Sequence, residues 1–155
     1  MASKFSEKQT LYLRNLLAML RALHLSHHSA HLQASGPQSY QDHLLYGRLY
    51  EGLVDEADGL AEKLVAMCGA DTVDAADQAK RISEIVAKGK SHSDLAKRAY
   101  MMEEAFVAMI EAVRKAMLND DALPSGLDNY LQGLADKHEG ACYLLKQRLG
   151  LKDAS

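Results

Sequence analysis

The sequence predicts an all-α protein: a four-helix bundle with a short extra helix in the crossover between the second and third long helices. Two observations support this fold class. The 155 residues include only two prolines, and clusters of turn residues are few, so little interrupts helical segments. Long segments also repeat apolar residues every three or four positions, the spacing that forms one face of a helix. The length suits a single domain over residues 1–155, and 48% apolar with 25% charged residues is ordinary for a globular protein.

The first helix is predicted to begin at a Ser-x-x-Gln capping box formed by Ser6 and Gln9. This start leaves a short tail at residues 1–5. Leucines at helical spacing form the apolar stripe of the helix: Leu13, Leu17 and Leu20. The same spacing continues into histidines: His24, His27 and His31. An apolar face therefore becomes a histidine face within one helix.

The second long helix is predicted from about Ser39 to Cys68. Gly36 and Pro37 separate it from the first helix, and Gly69 is its expected stop. The spacing of its apolar residues indicates one continuous stripe: Leu45, Leu49, Leu53, Ala57, Leu60 and Leu64.

The remaining segments complete the bundle. Residues 72–88 read as a short helix in a connection too long for a simple loop, which suits a crossover between long helices. The third helix is predicted over about 94–118, with a cap from Ser91 and Asp94. The last helix is predicted over about 125–149, with a cap from Ser125 and Asp128, and a short tail follows at residues 151–155.

Two histidines and two carboxylates form the candidate site, and their positions require a second subunit. His31 and His43 lie about six residues on either side of the turn, at one end of an antiparallel helix pair. Asp58 and Glu62 are four residues apart on one helix face. They start fifteen residues beyond His43, which is about 22 Å along a helix. Bonds from a metal to N or O are about 2.0–2.2 Å. One ion can therefore bind all four residues only across an interface, which a two-fold axis supplies.

The spacing of these residues resembles the Dps miniferritins, the DNA-binding proteins from starved cells. Five positions carry the resemblance: His31, Gly36, His43, Asp58 and Glu62. It continues through VAMCGA at the end of the second helix and LADKHEGACYLLKQRLG near the C-terminus. The resemblance implies a ferritin-like fold, a hollow homododecamer and oxidation and storage of iron. In this family, hydrogen peroxide or oxygen oxidises ferrous ion at a ferroxidase centre between subunits, and the removal of iron and peroxide protects DNA.

The resemblance assigns the metal ligands and also shows two departures. His31 and His43 of one subunit would bind iron, or zinc as a substitute, together with Asp58 and Glu62 of its two-fold mate. The family usually has a carboxylate four residues after the second histidine, and this chain has Gly47 there. It usually has tryptophan after the first histidine, where this chain has leucine. We therefore expect one firm and one weak ion per site, with reduced activity.

Other residues receive weaker assignments. His27, one turn before His31, is either a residue that orients that ligand or an auxiliary ligand. Asp121 and Asp128 complement the start of the last helix; by resemblance they would line the pores through which iron enters the shell. The sequence assigns no role to three further histidines: His24, His28 and His138.

Two alternatives stay open beside the ferroxidase. One is a structural shell that holds zinc and turns over slowly; the other is a nucleoid protein that binds DNA. The net charge of −3 and the short tail with the single lysine Lys4 count against DNA binding. No apolar run approaches a membrane span, the N-terminus lacks the apolar core of a signal peptide, and the two cysteines lack metal-type spacing. These features predict a cytoplasmic protein, with association to the nucleoid left open.

Overall fold

All regular structure in the described residues is helical, in agreement with the predicted fold class. The computed structural model describes residues 5–90 and 92–151. Its helices, in chain order, are α1 (Glu7–Gln33), α2 (Ser39–Glu51), α3 (Leu53–Cys68), a 3₁₀ turn (Ala70–Val73), α4 (Ala75–Gly89), α5 (Leu95–Asn119) and α6 (Ser125–Leu149). None of the described helices is long and apolar enough to cross a membrane.

The chain divides into two compact units, one ending at Lys88 and the other beginning at Gly89. The first contains α1 to α4, and the second contains α5 and α6. A single domain over residues 1–155 stays a prediction. Most of the two predicted tails, residues 1–4 with Lys4 and residues 152–155, lies outside the described residues, as does Ser91.

Helix α1 begins at the predicted capping box and packs its apolar face on α2 and α3. The Ser6 hydroxyl accepts from the Gln9 amide at 3.2 Å, and the Gln9 side chain accepts from the Ser6 amide at 3.0 Å. The leucine stripe is fully enclosed: Leu13, Leu16, Leu17, Leu20 and Leu23. Each buried leucine contributes about 1.5–3 kcal/mol through the hydrophobic effect, so this stripe stabilises the first unit substantially.

The second long helix is interrupted at Gly52, which the prediction of one continuous helix missed. Helix α2 ends at Glu51 and α3 begins at Leu53. The Gly52 amide donates to the Tyr50 carbonyl instead of continuing the regular helical ladder. Glycine costs about 1 kcal/mol relative to alanine inside a helix, so it is a natural point of interruption. The predicted stop at Gly69 is correct, with φ of 97° that residues with a side chain rarely adopt.

The predicted short helix of the crossover is α4, and buried polar contacts attach it to α1. Gln78 is 2% exposed. Its side-chain amide donates to the Arg14 carbonyl at 3.4 Å and accepts from the Arg21 guanidinium at 3.3 Å. Arg81 donates to the Asn15 side chain at 2.6 Å. Because these contacts hold α4 against α1, they determine where the chain runs after α3.

In the second unit, α5 and α6 pack against each other and start differently. Asp94 caps α5 by accepting from the Lys97 amide at 3.0 Å. The predicted cap of α6 is wrong, because Pro124 occupies the cap position and no side chain caps the helix. The Asp128 carboxylate instead accepts from Arg114 of α5 at 2.7 Å. The carboxylate that the sequence predicts as part of the helix cap therefore forms an ion pair with α5.

A buried histidine–glutamate pair joins α5 to α6. His138 Nδ1 lies 2.5 Å from Glu103 Oε2, with side chains 5% and 1% exposed. The Phe106 ring meets the imidazole edge-on, at 4.6 Å between ring centroids. Burial, and then the charge of Glu103 and nearby glutamates, raises the pKa of Cys142 to about 12. That thiol therefore stays protonated and unreactive at neutral pH.

We expect His138→Ala to destabilise the protein by about 3–5 kcal/mol, because it leaves the Glu103 carboxylate buried without its imidazole partner. Thermal unfolding should shift down by roughly 10 °C or more. Glu139→Ala is the control, since Glu139 is exposed on the same helix and should change stability little. Joint replacement of His138 and Glu103 by leucine should recover most of the loss. Equal losses for the single and double variants would contradict a specific role for the pair.

Candidate metal centre

Two reciprocal hydrogen bonds hold His31 and His43 against each other. His31 Nδ1 lies 2.8 Å from the His43 carbonyl, and His43 Nδ1 lies 3.0 Å from the His31 carbonyl. The two rings stack with centroids 3.6 Å apart and an angle of 27° between planes. The first residue lies in the last turn of α1 and the second in the first turns of α2. The pair therefore joins the two helices beside the turn that connects them.

These hydrogen bonds decide which ring nitrogen of each histidine can bind a metal. A backbone carbonyl can only accept a hydrogen bond, so each Nδ1 must carry the proton. Nε2 is then the ring nitrogen that remains to bind a metal ion through its lone pair. His31 is half-buried and His43 is exposed, so the pair is open to solvent. The structure thus presents two imidazole rings whose hydrogen bonds to the backbone assign Nε2 as the ligand atom.

Gly47 lies directly against the His31 ring. A Cβ atom at this position would lie 3.4 Å from His31 Nδ1 and 3.5 Å from Cε1, an ordinary van der Waals contact. The first atom of a side chain at position 47 would therefore fit beside the imidazole. The carboxylate that this chain lacks is thus missing from the immediate surroundings of the first histidine.

The two predicted carboxylate ligands lie on α3, apart from the histidine pair. Asp58 and Glu62 are both exposed. Asp58 lines a pocket of about 280 Å³ together with Asp55 and His24. Across residues 5–90 and 92–151, no three His, Cys, Asp or Glu residues lie close enough to hold one ion. Within one chain the four predicted ligands are therefore two separate pairs.

A row of imidazole rings extends along α1 from the histidine pair, and Tyr50 of α2 packs against it. The rings of His24 and His28 are 6.1 Å apart between centroids, and those of His28 and His31 are 6.4 Å apart. Each of the three meets the Tyr50 ring edge-on, at 5.9, 5.0 and 5.3 Å in the same order. Sequence reasoning gave no role to the first two, although positions four and three apart share a helix face.

His24 and His27 differ in their surroundings. Burial is the largest cause that lowers the pKa of His24, followed by the charges of His28 and His27, so its neutral form is favoured. His27, the predicted auxiliary residue, is fully buried at 0% exposure, among the leucines of α1. In the row of imidazole rings, the ring next to that of His31 belongs to His28 and not to His27.

The two predicted pore residues also differ. Asp121 is exposed and adopts a positive φ of 50° in the turn after α5. Asp128 is half-buried, and its carboxylate accepts from Arg114 at 2.7 Å and from Gln132 at 2.9 Å. Arg114 pairs with Asp128 and also with Glu111, at 3.0 Å. Asp128 is thus engaged in an ion pair whereas Asp121 is exposed, so Asp121 is the better placed of the two to attract a cation from solvent.

The sequence matches no protein-family model and no curated protein. Among solved structures, the chain is similar to the Dps from Thermosynechococcus elongatus, with a TM-score of 0.74 at 20% sequence identity. The similarity covers 95% of this chain and 93% of that protein. At this level of identity the likeness establishes the fold, and it includes the predicted bundle with its crossover helix. The chain therefore has the ferritin-like, all-helical fold of a Dps protein.

Proposed function

We propose that this protein oxidises ferrous ion at a centre formed by two subunits and stores the ferric product. The observation that carries the proposal is the reciprocal pairing of His31 with His43. Backbone carbonyls accept from both Nδ1 atoms, so Nε2 of each ring is the atom that remains to bind an ion. The Dps-type fold supports a homo-oligomer in which the histidine pair of one subunit meets ligands of another.

The second subunit contributes Asp58 and Glu62 in this proposal. Both carboxylates are exposed, and they lie on a different helix from the histidines of their own chain. Two negative charges with two neutral nitrogens suit a divalent iron, and oxygen ligands favour the ferric product. A two-fold axis would create two such centres per dimer.

Peroxide is the oxidant that we assign to this reaction. One hydrogen peroxide takes two electrons from two ferrous ions and, with two protons, becomes two waters. The reaction removes both ingredients of hydroxyl-radical formation, which would protect DNA. The assembly would be a hollow dodecamer in the cytoplasm, with Asp121 at the pore through which iron enters and Asp128 held beside it by Arg114.

A second candidate is a Dps-like shell that holds a metal such as zinc and oxidises iron slowly. Gly47 favours it, because this position adjoins the His31 ring and supplies no carboxylate. The two candidates share the fold and the two ligand pairs of each chain, and they differ in the rate of iron oxidation. DNA binding is the weaker alternative, since the net charge is −3.

We expect peroxide-driven oxidation of ferrous ion to be faster than oxidation by oxygen, and to fall by about 100-fold or more when ligands are removed. Stopped-flow absorbance should compare the intact protein with His31→Ala and Asp58→Ala. His92→Ala is the matched control: this loop histidine is in the second unit, and its carbonyl, which accepts from Arg98, is retained. Full oxidation rates in the ligand variants would show that the proposed centre is wrong. Slow iron oxidation by the intact protein would favour the Dps-like shell.

Gly47→Asp should convert one firm and one weak ion per centre into two firm ions. The new carboxylate would project beside the His31 ring, where space exists for the first side-chain atom. Gly47→Ala fills the same space without a ligand and should gain up to about 1 kcal/mol of helix stability.

Calorimetric titration with Zn²⁺ under anaerobic conditions measures how many ions each of these proteins binds tightly. We expect Gly47→Asp to bind one more tight ion per centre than the intact protein and Gly47→Ala do. An equal number of tight ions in all three proteins would contradict the assignment of the weak ion to the missing carboxylate.

A further inference from the structure

Two histidines outside the proposed centre have the arrangement of a helical metal-binding pair. His24 and His28 are four residues apart on α1, with near-parallel rings whose centroids are 6.1 Å apart at an angle of 20°. Histidines at this spacing on one helix face can bind a single metal ion. Since metal–imidazole bonds are about 2.0–2.1 Å, two rings that share an ion at a tetrahedral angle have centroids about 5 Å apart. The observed separation is about 1 Å longer, so a small movement of the two side chains toward each other lets them hold one ion.

An aromatic neighbour limits the movement of the two rings before any ion binds. Tyr50 of α2 packs edge-on against both, at 5.9 Å from His24 and 5.0 Å from His28. Aromatic contacts of this kind restrict ring rotation, which reduces the entropy lost when a ligand binds. His24 is half-buried and His28 is exposed, so an ion can reach the pair from solvent.

Local charge also favours a cation at this position. His24 lines the 280 Å³ pocket together with the carboxylates of Asp55 and Asp58. Arg21 lines the same pocket, and its guanidinium keeps its positive charge because its partner Gln78 is neutral. The two carboxylates still leave a net negative charge in the pocket, which raises the local concentration of divalent cations.

We propose that His24 and His28 form a second metal site that binds a divalent transition-metal ion of the Fe²⁺, Cu²⁺ and Zn²⁺ class. Because no third protein ligand lies near enough in the part of the chain described, water completes the coordination. The site belongs to one chain and needs no second subunit. Its binding does not require the proposed ferroxidase activity, but it adjoins residues of that centre: the His28 ring is 6.4 Å from the His31 ring, and Asp58 lines the same pocket as His24.

Copper is the most sensitive probe, because Cu²⁺ binds nitrogen ligands more tightly than the other divalent ions of this series. The test uses the full chain with His31→Ala and His43→Ala, which removes the histidines of the proposed centre. Titration with Cu²⁺, followed by electron paramagnetic resonance, should show one copper per chain with hyperfine splitting from two nitrogens. Adding His24→Gln or His28→Gln should weaken binding by about tenfold or more and remove that splitting.

The control in the same background is His92→Gln, a histidine of the second unit that should leave copper binding unchanged. Circular dichroism checks that each variant is folded. If the variant with His31→Ala and His43→Ala does not fold, the test uses His24→Gln with His28→Gln in the otherwise intact protein. These two substitutions should lower the copper stoichiometry by one per chain. Unchanged copper binding without His24 and His28, or equal loss in the control, would overturn the proposal.

Discussion

The reciprocal hydrogen bonds between His31 and His43 are the interaction on which the candidate centre depends. Each such bond adds only about 0.5–1.5 kcal/mol to stability, so their importance lies in orientation. They hold the end of α1 against the start of α2, and they leave Nε2 as the ligand atom on both rings. The connecting turn permits this geometry because Gly36 takes a positive φ of 85°, which a side chain would disfavour.

A second constraint is the length of the helices that carry the site. The histidines lie beside the turn, whereas Asp58 and Glu62 lie beyond the Gly52 interruption, on α3. A helix cannot shorten to bring the two pairs together, so a mononuclear site with all four ligands requires a second copy of the chain. In the proposed function, iron oxidation therefore depends on assembly, because an isolated subunit would have only an incomplete set of ligands at each end of the site.

Helical spacing predicted most of the fold, because a 3.6-residue period is a local property of the sequence. The Ser6 capping box and the bounds of α5 follow from such local patterns. The Gly52 interruption was missed because the apolar stripe continues through it. Pairs distant in sequence, such as Glu103 with His138 and Arg114 with Asp128, have no local signature.

The candidate site was predictable to a similar extent. The spacing of His31 and His43 suggested ligands, but only the structure shows that each donates to the other's backbone. The sequence showed that Gly47 lacks a carboxylate, and the structure adds that this position adjoins the His31 ring. The row formed by His24 and His28 was overlooked because its significance depends on Tyr50, which lies on another helix.

Mixing of two defective subunits tests the central claim, that one centre takes ligands from two chains. One subunit would carry His31→Ala with His43→Ala, and the other Asp58→Ala with Glu62→Ala. Each alone should lack ferroxidase activity. A randomly mixed assembly should recover about a quarter of the wild-type rate, since half of its dimers are mixed and each restores one of two centres. A mixed assembly, verified by mass spectrometry, that stays as inactive as its parents would contradict the account.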